Sequence, residues 1–140
     1  MRREANENSK ELSWYPDKGI LNPKDIEGFD VIIHLGGAGI GDKRWNKKRK
    51  NLIINSRKDS TILLSDTMSE LEKKPEAFIV ASAIGYYGNR DDEELTEDSP
   101  PGNGFLTETV IQWESYADSA RDAGIRVVNT RNGIVLSAAG

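Results

Sequence analysis

Three short apolar segments, separated by longer stretches of helical periodicity, constrain the fold of this chain most. They span residues 31–35, 78–81 and 126–130, are rich in β-branched residues, and lack polar-apolar alternation. Strands of this kind are typical of parallel sheets buried on both faces. Crossovers between parallel strands are almost always right-handed and place helices on the sheet faces. The sequence therefore predicts an α/β fold, half of a doubly wound parallel sheet of the nucleotide-binding type.

Two helical stretches separate the predicted strands. The first runs from about residue 46 to 73, with apolar residues every three or four positions, and Pro75 follows its end. The second repeats this spacing from Val110 to Ala120, and Gly124 fits a C-terminal cap. The Gly-x-Gly-x-x-Gly phosphate loop of such folds is absent. We therefore expect residues 1–140 to form one partial domain, with its first strand-helix-strand unit missing.

Composition excludes several classes of function. The chain has no cysteine, which excludes disulfides and thiol catalysis, and a single histidine, His34, so no metal site is predicted. His34 lies in an apolar strand and is expected to be a packed, hydrogen-bonded core residue. The net charge is −4, and the start of the chain lacks the apolar core of a signal peptide. We predict a cytoplasmic protein that binds neither nucleic acid nor membrane.

The run from Ala81 to Gly88 carries the most informative chemistry. It follows an apolar strand and contains one hydroxyl, Ser82, and two phenols, Tyr86 and Tyr87. At the carboxyl end of a parallel strand, such groups line a ligand crevice, where they can donate hydrogen bonds and carry protons. The same run also fits a Gly-rich turn with two packing aromatics. Both interpretations stay open on these residues alone.

Several short motifs, taken in order, resemble the central part of an extended short-chain dehydrogenase/reductase. Within that superfamily the chain is similar to the atypical NAD(P)-dependent, sugar-nucleotide epimerase-like group (the YfcH-like proteins). The matching segments are residues 30–38, 41–45, 56–57, 82–88, 95–98, 113–114 and 131–136. The resemblance implies a Rossmann-like fold that is partial here. Family members have a Gly-rich loop upstream of this region and a smaller substrate-binding portion downstream.

The resemblance also implies where NADP or NAD binds. The implied cofactor contacts are Arg2, Arg3, Leu35, Gly36, Gly37, Ser82, Asn132, Gly133 and Ile134. A basic residue near the second strand can pair with the 2′-phosphate of NADP, although an ordinary solvated terminus explains Arg2 and Arg3 equally well. Residues without side chains allow the backbone to approach the cofactor closely. Arg44 and Trp45 are the implied substrate contacts.

The sequence departs from the superfamily at its catalytic pair. Ordinary members use a tyrosine as acid/base, and a lysine four residues on that binds the ribose and lowers the pKa of the phenol. Phe105 and Thr109 stand at these positions here. A free phenol has a pKa of about 10 and needs such help at neutral pH. The usual machinery is therefore missing, which leaves the type of reaction open.

Two functional hypotheses follow. In the first, the protein is part of an NAD(P)-dependent epimerase/dehydratase-like oxidoreductase that acts on a nucleotide sugar or a related carbonyl or hydroxyl compound. Tyr86 or Tyr87 would then transfer the proton and Ser82 would polarise the substrate, although a gap-free alignment places the usual serine at Ala83. In the second, the protein binds NADP(H) without turnover, as a sensor or interaction module.

Overall fold

The computed structural model describes residues 12–135, and within this range three strands form one parallel sheet. The strands are β1 (Val31–His34), β2 (Ala77–Ala83) and β3 (Arg126–Asn132), and they lie side by side in chain order. Phe78 of β2 pairs with Ile32 of β1 and with Val127 of β3, so the register is continuous across the sheet. The predicted α/β fold with parallel neighbouring strands is confirmed.

Helices connect the strands in the predicted order. In the described part of the chain these are α1 (Lys47–Ser69), α2 (Phe105–Ser115) and α3 (Asp118–Asp122), with short 3₁₀ helices at Pro16–Lys18, Pro23–Asp25 and Ile84–Tyr86. The Asn46 side chain caps α1 by accepting a hydrogen bond of 2.8 Å from the Arg49 amide. Gly124 follows α3 with φ +86°, as its predicted role in helix termination requires. Two differences are that α1 ends before residue 73, and that the second stretch is split into α2 and α3.

The core lies between the sheet and one layer of helices. Phe78 and Val80 of β2 are 0% and 1% exposed and pack with Met68 of α1 and Trp113 of α2. Alternate residues of a strand point to opposite faces, and in β2 the fully buried ones are on the helix side. No helix in the described range is both long and apolar enough to cross a bilayer.

The expectation that the strands are buried on both faces is wrong for β1. Val31 and Ile33 are 45% and 61% exposed, whereas Ile32 packs against the core and His34 is buried. The two crossovers progress in the same direction along the sheet, and right-handed connections of that kind place their helices on one side. Helices of residues 12–135 therefore cover a single face of the sheet, and the opposite face presents aliphatic side chains.

Candidate functional site

A cavity of 690 Å³ opens at the carboxyl ends of β2 and β3. Its walls come from the loop before α1, from α1 and α2, and from the segments that follow the two strands. Ligand sites in proteins span roughly 300–1,000 Å³, and open α/β sheets bind ligands at the carboxyl ends of their strands. Both the size and the position of this cavity make it the candidate site.

The structure brings five of the predicted site residues together here. The predicted residues that line the cavity are Trp45, Ser82, Asn132, Gly133 and Ile134. Phe105 and Thr109, which the resemblance places at the positions of the usual catalytic pair, line it as well, and the Phe105 ring has no proton to give. The Phe105 ring contacts Trp45 edge to face, with 5.4 Å between ring centroids.

Other predicted residues lie elsewhere. Arg2 and Arg3 are outside the described residues. Residues 35–37 and Arg44 are not among the cavity-lining residues, and Leu35 is 73% exposed. The first turn of α1 carries only positive charge, which opposes the helix dipole, and one of its residues, Arg49, pairs with the Asp42 carboxylate at 2.8 Å from Nη2.

Gly36 and Gly37 have a packing reason to be glycine that the sequence did not reveal. A Cβ atom on Gly36 would lie 2.8 Å from Cε1 of His34, and one on Gly37 would lie 3.2 Å from Cζ of Arg57. A side chain at either position would have to displace the imidazole or the guanidinium. The cofactor role of the two glycines stays a prediction.

His34 is a buried, hydrogen-bonded core residue, as predicted. It is 4% exposed, and burial lowers its pKa from 6.5 to about 4. Its Nδ1 accepts a hydrogen bond from the Gly36 amide, so the ring proton is on Nε2 and is donated to Ser60 Oγ at 2.9 Å. Ser60 in turn donates to the Ser56 carbonyl at 2.7 Å. The chain of bonds ties the end of β1 to α1.

Ser56 and Arg57 hold the loop that follows β1. Ser56 Oγ accepts a hydrogen bond from the Ala38 amide at 2.9 Å, and Arg57 Nη1 donates to the Ala38 carbonyl at 3.1 Å. Both backbone groups of one loop residue are thereby satisfied by two adjacent residues of α1. The two contacts tie the loop after β1 to α1.

Ser82 belongs to a partly buried network that the sequence did not predict. Its Oγ donates to Glu114 Oε1 at 2.6 Å. Arg131 donates to both oxygens of the same carboxylate, from Nε at 2.9 Å and from Nη2 at 3.0 Å. Arg131 Nη1 also donates to the Tyr87 hydroxyl at 2.9 Å. The sequence alone does not single out this pair, because α2 also carries Glu108 and β3 also carries Arg126.

The electrostatics of this network keep Glu114 ionised. Burial opposes ionisation, but the hydrogen bonds from Arg131 and Ser82 and the charge of Arg131 outweigh it, so the pKa of Glu114 lies below its usual value. The hydrogen bond to Glu114 in turn raises the pKa of Arg131. The carboxylate therefore holds the hydroxyl proton of Ser82, which leaves Ser82 Oγ free to act toward a ligand only as an acceptor.

Tyr86 and Tyr87 pack around Arg131 and are not among the residues that line the cavity. The guanidinium carbon of Arg131 is 3.5 Å from the centroid of the Tyr86 ring and 5.2 Å from that of Tyr87. Tyr87 is 8% exposed, and its oxygen accepts from Arg131, so its own proton is free to be donated. The packing interpretation of the two aromatics is observed, and their role as proton carriers stays a prediction.

Comparison with known proteins places this chain among epimerase-like proteins. No protein-family model matches it. The Epimerase family protein Mb2239 of Mycobacterium bovis is 37% identical over 138 residues, which are 99% of this chain and 45% of the relative. The solved nucleoside-diphosphate sugar epimerase from Corynebacterium glutamicum is 38% identical, with a TM-score of 0.76 over 91% of this chain and 26% of the other. The human epimerase family protein SDR39U1 (isoform 2), crystallised with NADPH, is 30% identical, with a TM-score of 0.71 over 79% of this chain and 38% of the other.

The fold and the site together define part of a Rossmann-like α/β domain, which these solved structures share. The resemblance to the atypical, epimerase-like group of the extended short-chain dehydrogenase/reductase superfamily is confirmed, because the homologues carry the name epimerase family protein. The chain spans about half the length of the curated relatives it matches, 45% in the case of the mycobacterial protein.

Proposed function

We propose that residues 1–140 form the central part of an NAD(P)-dependent epimerase-like oxidoreductase that acts on a nucleotide sugar or a related carbonyl or hydroxyl compound. The observation that carries the proposal is the 690 Å³ cavity at the carboxyl ends of β2 and β3. Its position is the ligand position of open α/β sheets, and the human relative at 30% identity was crystallised with NADPH. The predicted cytoplasmic location and the absence of nucleic-acid and membrane partners stay predictions.

The residues at the strand ends suit the nicotinamide half of a dinucleotide. Ser82 and the segment 132–134 line the cavity, and a Cβ atom on Gly133 would meet nothing nearer than 3.7 Å, so the backbone there is open to a ligand. Residues 35–37 follow β1 at the same edge of the sheet. When bound, NAD(P) supplies the hydride donor or acceptor. The protein's part is to orient the substrate and to move a proton.

For the proton, we assign Tyr87 the leading role and Tyr86 the alternative one. The Tyr87 oxygen accepts a hydrogen bond from Arg131, so the hydroxyl proton of Tyr87 points away from Arg131 and can be donated to another group. Phe105 has no ionisable group, and the Nε2 proton of His34 is bonded to Ser60. In this proposal Trp45, which lines the cavity, and Arg44, which precedes it in the chain, contact the substrate.

A non-catalytic dinucleotide-binding protein is the second candidate. The observation that favours it is the loss of the usual catalytic pair: Phe105 faces the cavity, and Thr109 Oγ1 donates to the Phe105 carbonyl at 2.7 Å within α2. The hydroxyl proton of Ser82 is likewise donated to Glu114 and is therefore not available to a ligand. A sensor needs to bind the cofactor but needs no proton carrier, so these features are compatible with a non-catalytic role.

The experiment that tests the proposal uses a protein extended to the full length of the relatives. Titration with NADPH and with NADH, followed by calorimetry, measures cofactor binding. A panel of nucleotide sugars and carbonyl compounds is then assayed for turnover. Binding with turnover supports the enzyme, and binding without turnover on the whole panel supports the sensor. Absence of binding to both cofactors would overturn the proposal.

A further inference from the structure

Arg57 is the single charged side chain among the described residues that line the cavity. The rest of the lining is aliphatic, aromatic, hydroxyl or amide. Arg57 is half-buried, and burial lowers the pKa of its guanidinium, which means that the surroundings disfavour the cation. A cavity with one unneutralised positive charge and no negative charge favours an anionic ligand.

The guanidinium is held in place before any ligand arrives. Its Nη1 donates to the carbonyl oxygens of Ala38 at 3.1 Å and Ile53 at 3.0 Å. Its central carbon lies 4.7 Å from the centroid of the Trp113 ring, and Gly37 leaves it room on another side. A side chain fixed in this way loses little rotamer freedom on binding, which favours affinity.

Arg57 has no carboxylate partner within residues 12–135, in contrast to the partly buried Arg131, which pairs with Glu114. Both hydrogen bonds of Arg57 use Nη1, and its Nε and Nη2 donate to no described residue. Nε and Nη2 form the edge of a guanidinium that binds two oxygens of a carboxylate or phosphate in parallel. The free edge of Arg57 is therefore the one suited to an oxyanion.

We propose that Arg57 is the anion-recognising residue of this cavity and that the ligand presents an oxyanion, a carboxylate or a phosphate group, to its Nε/Nη2 edge. The remainder of the ligand lies against Trp45 and Phe105, whose rings form an apolar wall of the same cavity. Lys50, whose ammonium is 4.7 Å from the centroid of the Phe105 ring, adds positive potential beside that wall. The inference rests on the proposed function in one respect, that this cavity is the substrate side of the site.

The test is an NMR titration of the isotope-labelled chain. It follows the Nε–H signal of Arg57 in the unchanged chain, and the indole N–H signal of Trp45, which lines the same cavity, in the unchanged chain and in every variant. Glucuronate and glucose are the paired probes, because they differ by one carboxylate, and inorganic phosphate is the third probe. Arg57→Gln removes the charge, and Arg57→Lys keeps the charge but lacks the paired Nε and Nη2 donors. Lys58→Gln, which neutralises the exposed neighbour of Arg57, is the matched control. The indole N–H of Trp113, bonded to Thr61 at 3.2 Å, reports that each variant is folded.

We expect glucuronate or phosphate to shift the Arg57 signal at concentrations where glucose does not. Arg57→Gln should weaken that binding about 10-fold or more, the loss typical of a charged hydrogen bond, and Arg57→Lys should weaken it less. Lys58→Gln should bind as the unchanged chain does. A response to glucuronate alone assigns a carboxylate, and a response to phosphate alone assigns a phosphate group.

Equal responses to glucose and to both anions would overturn the inference, as would anion binding that survives in folded Arg57→Gln. The result is distinguishable from failure of the proposed function, because the probes do not require the cofactor. If oxyanions leave Arg57 unperturbed while the extended protein binds NADPH, the inference fails and the proposed function stands.

Discussion

The pair formed by Glu114 and Arg131 is expected to hold α2 to β3, and its removal gives the sharpest stability prediction. Glu114→Ala deletes the carboxylate that accepts two bonds from Arg131 and one from Ser82. The side chains of Arg131 and Glu114 are 20% and 15% exposed, so the orphaned guanidinium remains largely buried. Breaking a buried pair from one side costs about 3–5 kcal/mol.

The expected loss is smaller here, because Arg131 keeps other partners. Its Nη1 still donates to Tyr87 and to the Glu97 carbonyl, its guanidinium still stacks on Tyr86, and its partial exposure screens the charge. We therefore expect Glu114→Ala to lower the free energy of unfolding by about 2–3 kcal/mol. Urea unfolding followed by tryptophan fluorescence measures it at pH 7.

Two further variants make this prediction specific. Glu93→Ala removes an exposed carboxylate that pairs with Arg90, and it should change the stability little. The double change Glu114→Ala/Arg131→Met should recover part of the loss, because it removes the orphaned charge together with its partner. If Glu114→Ala destabilised the chain no more than Glu93→Ala, or if the double variant were the least stable, the reasoning about this network would be refuted.

Three other predictions concern pH, the cofactor and the proton. The pKa of His34 is about 4 in the folded chain and ordinarily 6.5, so the unfolded chain takes up the proton first as the pH falls. The free energy of unfolding should therefore have its full value above about pH 6.5 and should decrease by about 3 kcal/mol toward pH 4. Urea midpoints measure this decrease, which should be smaller in His34→Gln. The 140-residue chain alone should bind NADPH weakly or not at all, because it lacks the phosphate loop, and a micromolar dissociation constant in calorimetry would contradict this. In a catalytically active full-length protein, Tyr87→Phe should lower turnover by about 10²–10⁴ with cofactor affinity nearly unchanged, and full activity of Tyr86→Phe/Tyr87→Phe would exclude both phenols.

The local pattern of the sequence was enough to predict the strands and their parallel order. Runs such as Val31–His34 combine β-branching with apolar character, and the helical spacing between them requires crossovers. The division between α2 and α3 was not predicted, because the apolar spacing continues through Ala117 to Ala120 without a proline or glycine. Spacing reports which face is buried, and it does not report where a helix ends.

The sequence predicted the residues of the candidate site only where the position of the backbone alone determines that a residue lines the cavity. Ser82 and residues 132–134 reach one cavity because both lie at the carboxyl ends of neighbouring parallel strands. The partner of Ser82 depends on how α2 is rotated against the sheet, and that rotation is set by packing rather than by spacing. For the same reason Glu114 and Arg131, 17 residues apart, could not be matched from the sequence.

The aliphatic face of β1 affects how this chain should behave at high concentration. Val31 and Ile33 lie on one side of the strand and are 45% and 61% exposed, and Leu35, directly after the strand, is 73% exposed. Contiguous apolar surface drives weak self-association that is entropic near room temperature and strengthens on warming. Self-association, rather than unfolding, should then limit the concentration that a preparation of the chain can reach. Light scattering that rises with temperature below the melting transition, and that decreases in Ile33→Lys, would be its signature.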